Sequence, residues 1–200
     1  MEEGFEVEAK IEPEEEAPKS WLIPAIAVTT AVLAVVAALS SLLAGRAAHH
    51  SLSDLNEAAI LQNQATDQWN FYQAEGIKRH VFEVQRDAYR MQGTAEAKAL
   101  AASYDAGAKK YAAQQADIRK EAEGHEHERD ALKAMSQAYD VQYQRLALAV
   151  AVLQIGIVVC SVAAIIRQPA LWYLAIVAGV VGIIILLVGL VPPKTPSPTG

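Results

Sequence analysis

Residues 22–45, with the sequence LIPAIAVTTAVLAVVAALSSLLAG, contain no Asp, Glu, Lys or Arg. Two further stretches, 146–166 and 170–191, also lack these residues. A helix of about 21 to 24 residues, rising about 1.5 Å per residue, covers the roughly 30 Å hydrocarbon core of a bilayer. A chain of 200 residues has too little polar sequence to cover three such helices in water. We therefore predict an all-α integral membrane protein with transmembrane helices at 21–45, 146–166 and 170–191.

The segment between the first two spans, residues 46–145, is rich in Ala, Gln, Glu, Lys and Arg, which favour helices. No proline interrupts the chain between Pro24 and Pro169. Gly93 and Thr94 form the best candidate turn, because glycine suits the end of one helix and threonine the start of the next. The two arms beside this turn are nearly equal in length. We therefore predict a long antiparallel helical hairpin, a coiled-coil-like stalk inserted between the first and second spans.

Both arms carry rows of residues at the spacing of helices that pack together. One row on the second arm is mostly large and apolar: Tyr104, Tyr111, Ile118, His125, Leu132, Tyr139 and Leu146. The row interleaved with it is small or polar: Ala108, Gln115, Ala122, Arg129, Ser136 and Tyr143. The first arm has a regular row and a looser one out of phase with it: Ile77, Val81, Val84, Ala88 and Met91, then Leu55, Ala58, Ala65, Trp69 and Tyr72. These rows indicate helix packing and carry no information on chemistry.

The position of the turn also predicts which residues face each other across the arms. The expected pairs are Trp69 with Ile118, Leu55 with Leu132, and Gln62 with His125. Gln62 and His125 would form a polar layer that fixes the register, as a buried Asn does in coiled coils. This layer accounts for a histidine on the apolar row without a metal ion.

Residues 67–73, with the sequence DQWNFYQ, are unusually aromatic. One interpretation is a docking surface for a partner. The favoured interpretation is that Trp69 and Tyr72 pack into the hairpin while Phe71 stays partly exposed.

Small residues recur at every fourth position within the spans, which lets helices approach closely. The glycines among them, Gly156, Gly179 and Gly182, are therefore candidates for helix contacts. Gln154 is the most polar residue of a span, and it is a candidate for a hydrogen bond to another helix or to a second subunit. No span contains Asp, Glu, Lys, Arg or His. Pumps and ion-coupled transporters usually need such groups at membrane depth, so these functions are not favoured.

The sequence contains no recognisable catalytic set, and we expect no enzyme activity, no cofactor and no small-molecule substrate. His125 and His127 are two residues apart, so they point away from each other on a helix and predict no metal site. The net charge is −6, and residues 46–145 hold 15 acidic and 13 basic side chains, which nearly cancel. This balance argues against nucleic acid as a partner.

The ends of the chain are predicted to be disordered tails, at 1–20 and 192–200. The first is acidic and contains two prolines, which argues against a cleaved signal peptide. Lys and Arg near the span ends are almost equal in number on the two sides of the membrane, so charge alone does not orient the chain.

Three stretches carry a family resemblance: 65–74 (ATDQWNFYQA), 152–157 (VLQIGI) and 171–173 (LWY). They resemble a bacterial membrane family catalogued as domain of unknown function 4337, over about residues 21–190. The resemblance implies three spans with a helical insert, and it supplies no activity, substrate or catalytic residue. It also favours an inner-membrane location with a cytoplasmic N-terminus and the hairpin outside.

We therefore expect a non-enzymatic structural or interaction protein. Its partners would be the lipid bilayer and either copies of itself or another membrane protein. It would assemble through the stalk and through the small-residue faces of the spans. The alternative is an oligomeric channel or an accessory subunit of a transporter.

Overall fold

A computed structural model describes residues 21–191 of the chain, and nearly all of these residues are helical. Helix α1 is Leu22–Gln92, helix α2 is Ala95–Ile166 and helix α3 is Pro169–Gly189. The described residues contain no strand. All three helices include a segment that is long and apolar enough to cross a membrane. The predicted tails, 1–20 and 192–200, lie outside the described residues.

Only Gly93 and Thr94 separate α1 from α2, and these are the residues at which the sequence predicts the turn. Gly93 has a φ of 73°, a left-handed conformation that glycine adopts without a steric penalty. The hydroxyl of Thr94 accepts a hydrogen bond from the backbone N–H of Ala97 at 3.2 Å. One residue thus ends the first helix and the next caps the second, because each has the backbone or side chain that its position requires.

The connection between α2 and α3 is equally short. Arg167 has a φ of 57°, the only positive value among the described residues other than glycines. A left-handed residue directly after a helix is a common way to end it. Pro169 then opens α3, at a position where its missing N–H leaves no hydrogen bond unmade.

The helices contribute to two compact units. The first unit takes the chain up to Leu39 together with Ala149–Ile184, and the second takes Ser40–Leu148 together with the chain from Ile185 onward. The core of the first unit draws on all three helices: Leu22, Ile26, Leu33, Ala37, Leu153, Cys160, Ala163 and Ala175. In the same unit, the indole N–H of Trp172 donates to the hydroxyl of Thr29 at 3.1 Å, and Trp21 meets Trp172 edge-on at 5.5 Å.

In the second unit, α1 and α2 are in contact, and residues with higher numbers on α1 meet residues with lower numbers on α2. His50 stacks on Tyr139, Ser51 meets Ser136, Gln68 bonds to Glu121, and Phe82 meets Tyr104.

The residues buried between these two helices are small, except for Gln115. On α1 they include Ala44, Ser51, Ala58 and Ala65, and on α2 they include Ala101, Ala108, Gln115, Ala122 and Ser136. Apart from the gap at Arg129, they recur every seven residues. The large row of α2 lies beside them, and its members from Tyr104 to Tyr139 are half-buried. Small side chains let two backbones approach closely, which leaves the centre without room for rings.

Candidate interaction surfaces

The aromatic stretch of α1 divides between the contact with α2 and the outer surface. Trp69 is half-buried, and its indole N–H donates to Glu126 at 3.0 Å. Its ring meets Tyr72, also half-buried, edge-on at 5.5 Å. Phe71 is 61% exposed. Trp69 and Tyr72 are therefore part of the packing between α1 and α2, and Phe71 is the residue of this stretch that is open to a partner.

The buried polar contacts differ from the layer that the sequence predicts. Gln62 accepts a hydrogen bond from Arg129 at 2.6 Å, one helical turn beyond His125. His125 and Ile118 are half-buried. Two other contacts are at the predicted register: Ser51 with Ser136, and Gln115 with the backbone carbonyl of Tyr72 at 2.9 Å. Arg129 lies on the row of α2 whose neighbouring members, Ala122 and Ser136, are buried, whereas His125 lies on the half-buried row beside it.

An ion-pair cluster links α1 and α2 close to the turn. The carboxylate of Asp105 lies 2.9 Å from Lys109, 3.3 Å from Arg86 and 3.6 Å from Arg90. The hydrogen bond from Lys109 lowers the pKa of Asp105 below its ordinary value, and Arg86 and Arg90 lower that pKa further. These contacts favour the ionised form of the carboxylate, and Arg86 and Arg90 join it to α1.

The regular apolar row of α1 faces away from α2. We call it the outer stripe, and its large members and their exposures are Ile77 at 68%, Val81 at 52%, Val84 at 53% and Met91 at 83%. Ala88, at the remaining position of the row, is half-buried. The candidate residues that we named from the sequence do not include this stripe. The sequence feature that could have predicted this stripe is the phase difference between the two rows of the first arm, since only one of them can face α2.

The glycines of the spans make contacts within the chain itself. Leu33 of α1 lies against Gly156 and Gly179, so that a Cβ at Gly179 would come within 2.6 Å of it. A Cβ at Gly182 would come within 2.7 Å of Leu153. These small-residue positions are therefore filled by leucines of the same molecule.

Gln154 is exposed on α2, and its side chain makes no hydrogen bond with residues 21–191. It lies eight residues beyond Leu146, or about 12 Å along the helix. Nearby on the same exposed surface are Ala151, Val158 and Ser161. The amide is thus a polar group without a partner in an otherwise apolar segment.

Metal-binding geometry is not found within the described part of the chain. No three His, Cys, Asp or Glu side chains between residues 21 and 191 are placed to hold one ion. Cys160 is a free cysteine buried in the core of the first unit.

Comparison with known proteins gives a match at the level of a family. No curated protein and no solved structure is significantly similar to the chain. The match to a family model covers residues 22–192, which is most of the 200 residues. The chain therefore belongs to the family described as a domain of unknown function, DUF4337.

Proposed function

We propose that the protein is a membrane-anchored, non-enzymatic scaffold that assembles with copies of itself. In this proposal the three apolar segments cross the membrane, and the α1–α2 pair of the second unit is the hairpin outside it. The observation that carries the proposal is the outer stripe, four large apolar side chains that are each more than half exposed. A contiguous apolar surface on a water-exposed helix is typical of an interaction site.

The spacing of the outer stripe favours a helix as its partner. Its positions alternate in steps of four and three from Ile77 to Met91, which is the pattern of a coiled-coil seam. The opposite side of α1 is already in contact with α2, through residues such as Phe82 and Arg86. A partner on the stripe would give α1 packing contacts on both sides.

A second copy of the chain fits this stripe. Copies in one membrane share one orientation, so their outer stripes would run parallel and identical residues would meet. In a parallel seam the flanking pairs would be Gln73 with Lys78, His80 with Gln85, and Asp87 with Gln92. None of these pairs brings like charges together. Anchoring in the same membrane also raises the effective concentration, so a seam of about two heptads is enough for association.

Gln154 supports assembly from a second region of the chain. A polar side chain in hydrocarbon gains free energy from a hydrogen bond to another helix, about 0.6 to 2 kcal/mol in measured cases. Two copies that meet at this surface would pair their Gln154 amides. The small side chains of Ala151 and Ser161 would let the two helices approach closely.

Disulfide crosslinking in native membranes tests the seam. Val84→Cys in a Cys160→Ser background should form a disulfide-linked dimer on mild oxidation, because paired seam positions bring Cα atoms within about 7 Å. The matched control is Ser103→Cys, an exposed residue of α2 close to the level of Val84. The proposal is overturned if cysteines at Ile77, Val81 and Val84 crosslink no better than this control.

The same membranes test the orientation, which we propose to be a cytoplasmic N-terminus with the hairpin outside. Protease added to intact spheroplasts should cleave between residues 46 and 145. A hairpin that survives in intact spheroplasts and is cleaved after lysis would reverse this orientation.

A further inference from the structure

An open groove lies on α1 where its apolar stretch ends. Its lining residues are Ser41, Leu42, Gly45, Arg46, His49 and His50, and its volume is about 400 Å³. All of them belong to the second unit. We call it the 41–50 groove. Arg46 is the first charged residue after residues 22–45, so in a membrane-spanning chain this groove lies at the level of the lipid headgroups.

The basic and polar groups of this groove are available to a ligand. Arg46, His49 and His50 are all exposed, and Arg46 forms no ion pair with any residue between 21 and 191. The space beside Gly45 is open, since a Cβ at that position would meet nothing within 4 Å. His50 stacks on Tyr139 of α2 at 5.2 Å, which fixes one edge of the groove.

We propose that the 41–50 groove binds the headgroup of an anionic phospholipid. The planar guanidinium of Arg46 suits two oxygens of one phosphate, and an imidazole N–H can donate to a third. Leu42, one turn before Arg46, gives the first part of an acyl chain an apolar surface. Free phosphate is also anionic, but it has no apolar part to contact Leu42. The geometry therefore favours the lipid. The proposal rests on membrane insertion and is independent of self-association.

Native mass spectrometry of the full chain, released from nanodiscs, measures this binding. Nanodiscs of phosphatidylglycerol mixed with phosphatidylcholine should leave phosphatidylglycerol adducts on the protein in preference to phosphatidylcholine. Arg46→Gln should reduce those adducts by about tenfold, as expected for the loss of a charge-assisted hydrogen-bond pair. Gly45→Leu should reduce them similarly, because it fills the groove and leaves every charge in place.

The matched control is Arg145→Gln. Arg145 is the last charged residue before the apolar stretch of α2, it is exposed, and it does not line the groove. Equal losses in Arg46→Gln and Arg145→Gln would show a general attraction to surface charge and overturn the proposal. Adducts that inorganic phosphate removes as effectively as soluble short-chain phosphatidylglycerol would assign the groove to free phosphate instead. Circular dichroism of each variant confirms that the helices are intact, and unchanged dimer crosslinking separates this result from the self-association test.

Discussion

The hydroxyl oxygens of Ser51 and Ser136 lie 2.9 Å apart in the buried contact between α1 and α2. The Ser136 hydroxyl also lies 3.0 Å from the backbone carbonyl of Ser51, to which it donates. Because the single proton of the Ser136 hydroxyl goes to that carbonyl, the Ser51 hydroxyl donates to Ser136. A pair of this kind requires α1 and α2 to approach closely, with Ser51 and Ser136 at the same level.

The two serines should show non-additive effects on stability. Ser136→Ala leaves the Ser51 hydroxyl buried without its cross-helix partner, which costs about 1 to 3 kcal/mol of unfolding free energy. Adding Ser51→Ala should recover much of that loss, because no hydroxyl is then left unpaired. Denaturant titration of the purified protein, followed by circular dichroism, measures the three variants. Additive losses in the double variant would contradict the contact.

Trp69 should contribute more to the free energy of unfolding than the exposed Phe71 does. Trp69→Ala removes a half-buried ring and its hydrogen bond to Glu126, and we expect a loss of about 2 to 4 kcal/mol. Trp69→Phe keeps most of the ring and should cost about 1 kcal/mol. Phe71→Ala is the control and should stay within about 0.5 kcal/mol of the parent. Membrane insertion, assayed by carbonate extraction, should be unchanged in all three.

The Asp105 cluster should make stability depend on pH. Because the folded-state pKa of Asp105 is lowered, its stabilising contribution is present above the ordinary aspartate pKa and is lost as the pH falls through the folded-state value. Asp105→Asn should therefore lower the melting temperature at about pH 7 and match the parent at about pH 2.

The control for this prediction is Asp117→Asn. Asp117 is exposed and forms no ion pair with the described residues. This variant should match the parent at both values of pH. If Asp105→Asn lowered the melting temperature as much at about pH 2 as at about pH 7, the loss would come from side-chain packing. The ion pairs would then not explain it.

Gln154→Leu should weaken self-association in the membrane. Loss of the hydrogen bond between the two Gln154 amides predicts a decrease in dimer affinity of about three- to thirtyfold. Energy transfer between labelled copies in liposomes measures this affinity at several protein-to-lipid ratios. Ser161→Ala is the control, because the Ser161 hydroxyl already donates to the carbonyl of Ile157 in its own helix. A Gln154→Leu variant with unchanged affinity would remove this residue from the interface.

Local features of the sequence determined where the helices lie. Charge-free stretches long enough to span a bilayer predicted three apolar segments, and the described residues contain three. Gly93 and Thr94 predicted the end of one helix and the start of the next, because backbone freedom and a capping hydroxyl are properties of single residues. Such features act within a few residues of the chain, so they can be read without the fold.

The tertiary structure decided which side of each helix packs against another helix. Heptad spacing shows that residues share a face, but it does not show which face approaches another helix. Close approach placed Ala58, Ala65 and Ala122 between α1 and α2 and left the tyrosine row beside them. It also turned the outer stripe away from α2 and filled the glycine positions of the spans with Leu33 and Leu153. These outcomes depend on how side-chain volumes from distant parts of the chain fit together, which the spacing of residues along one helix does not contain.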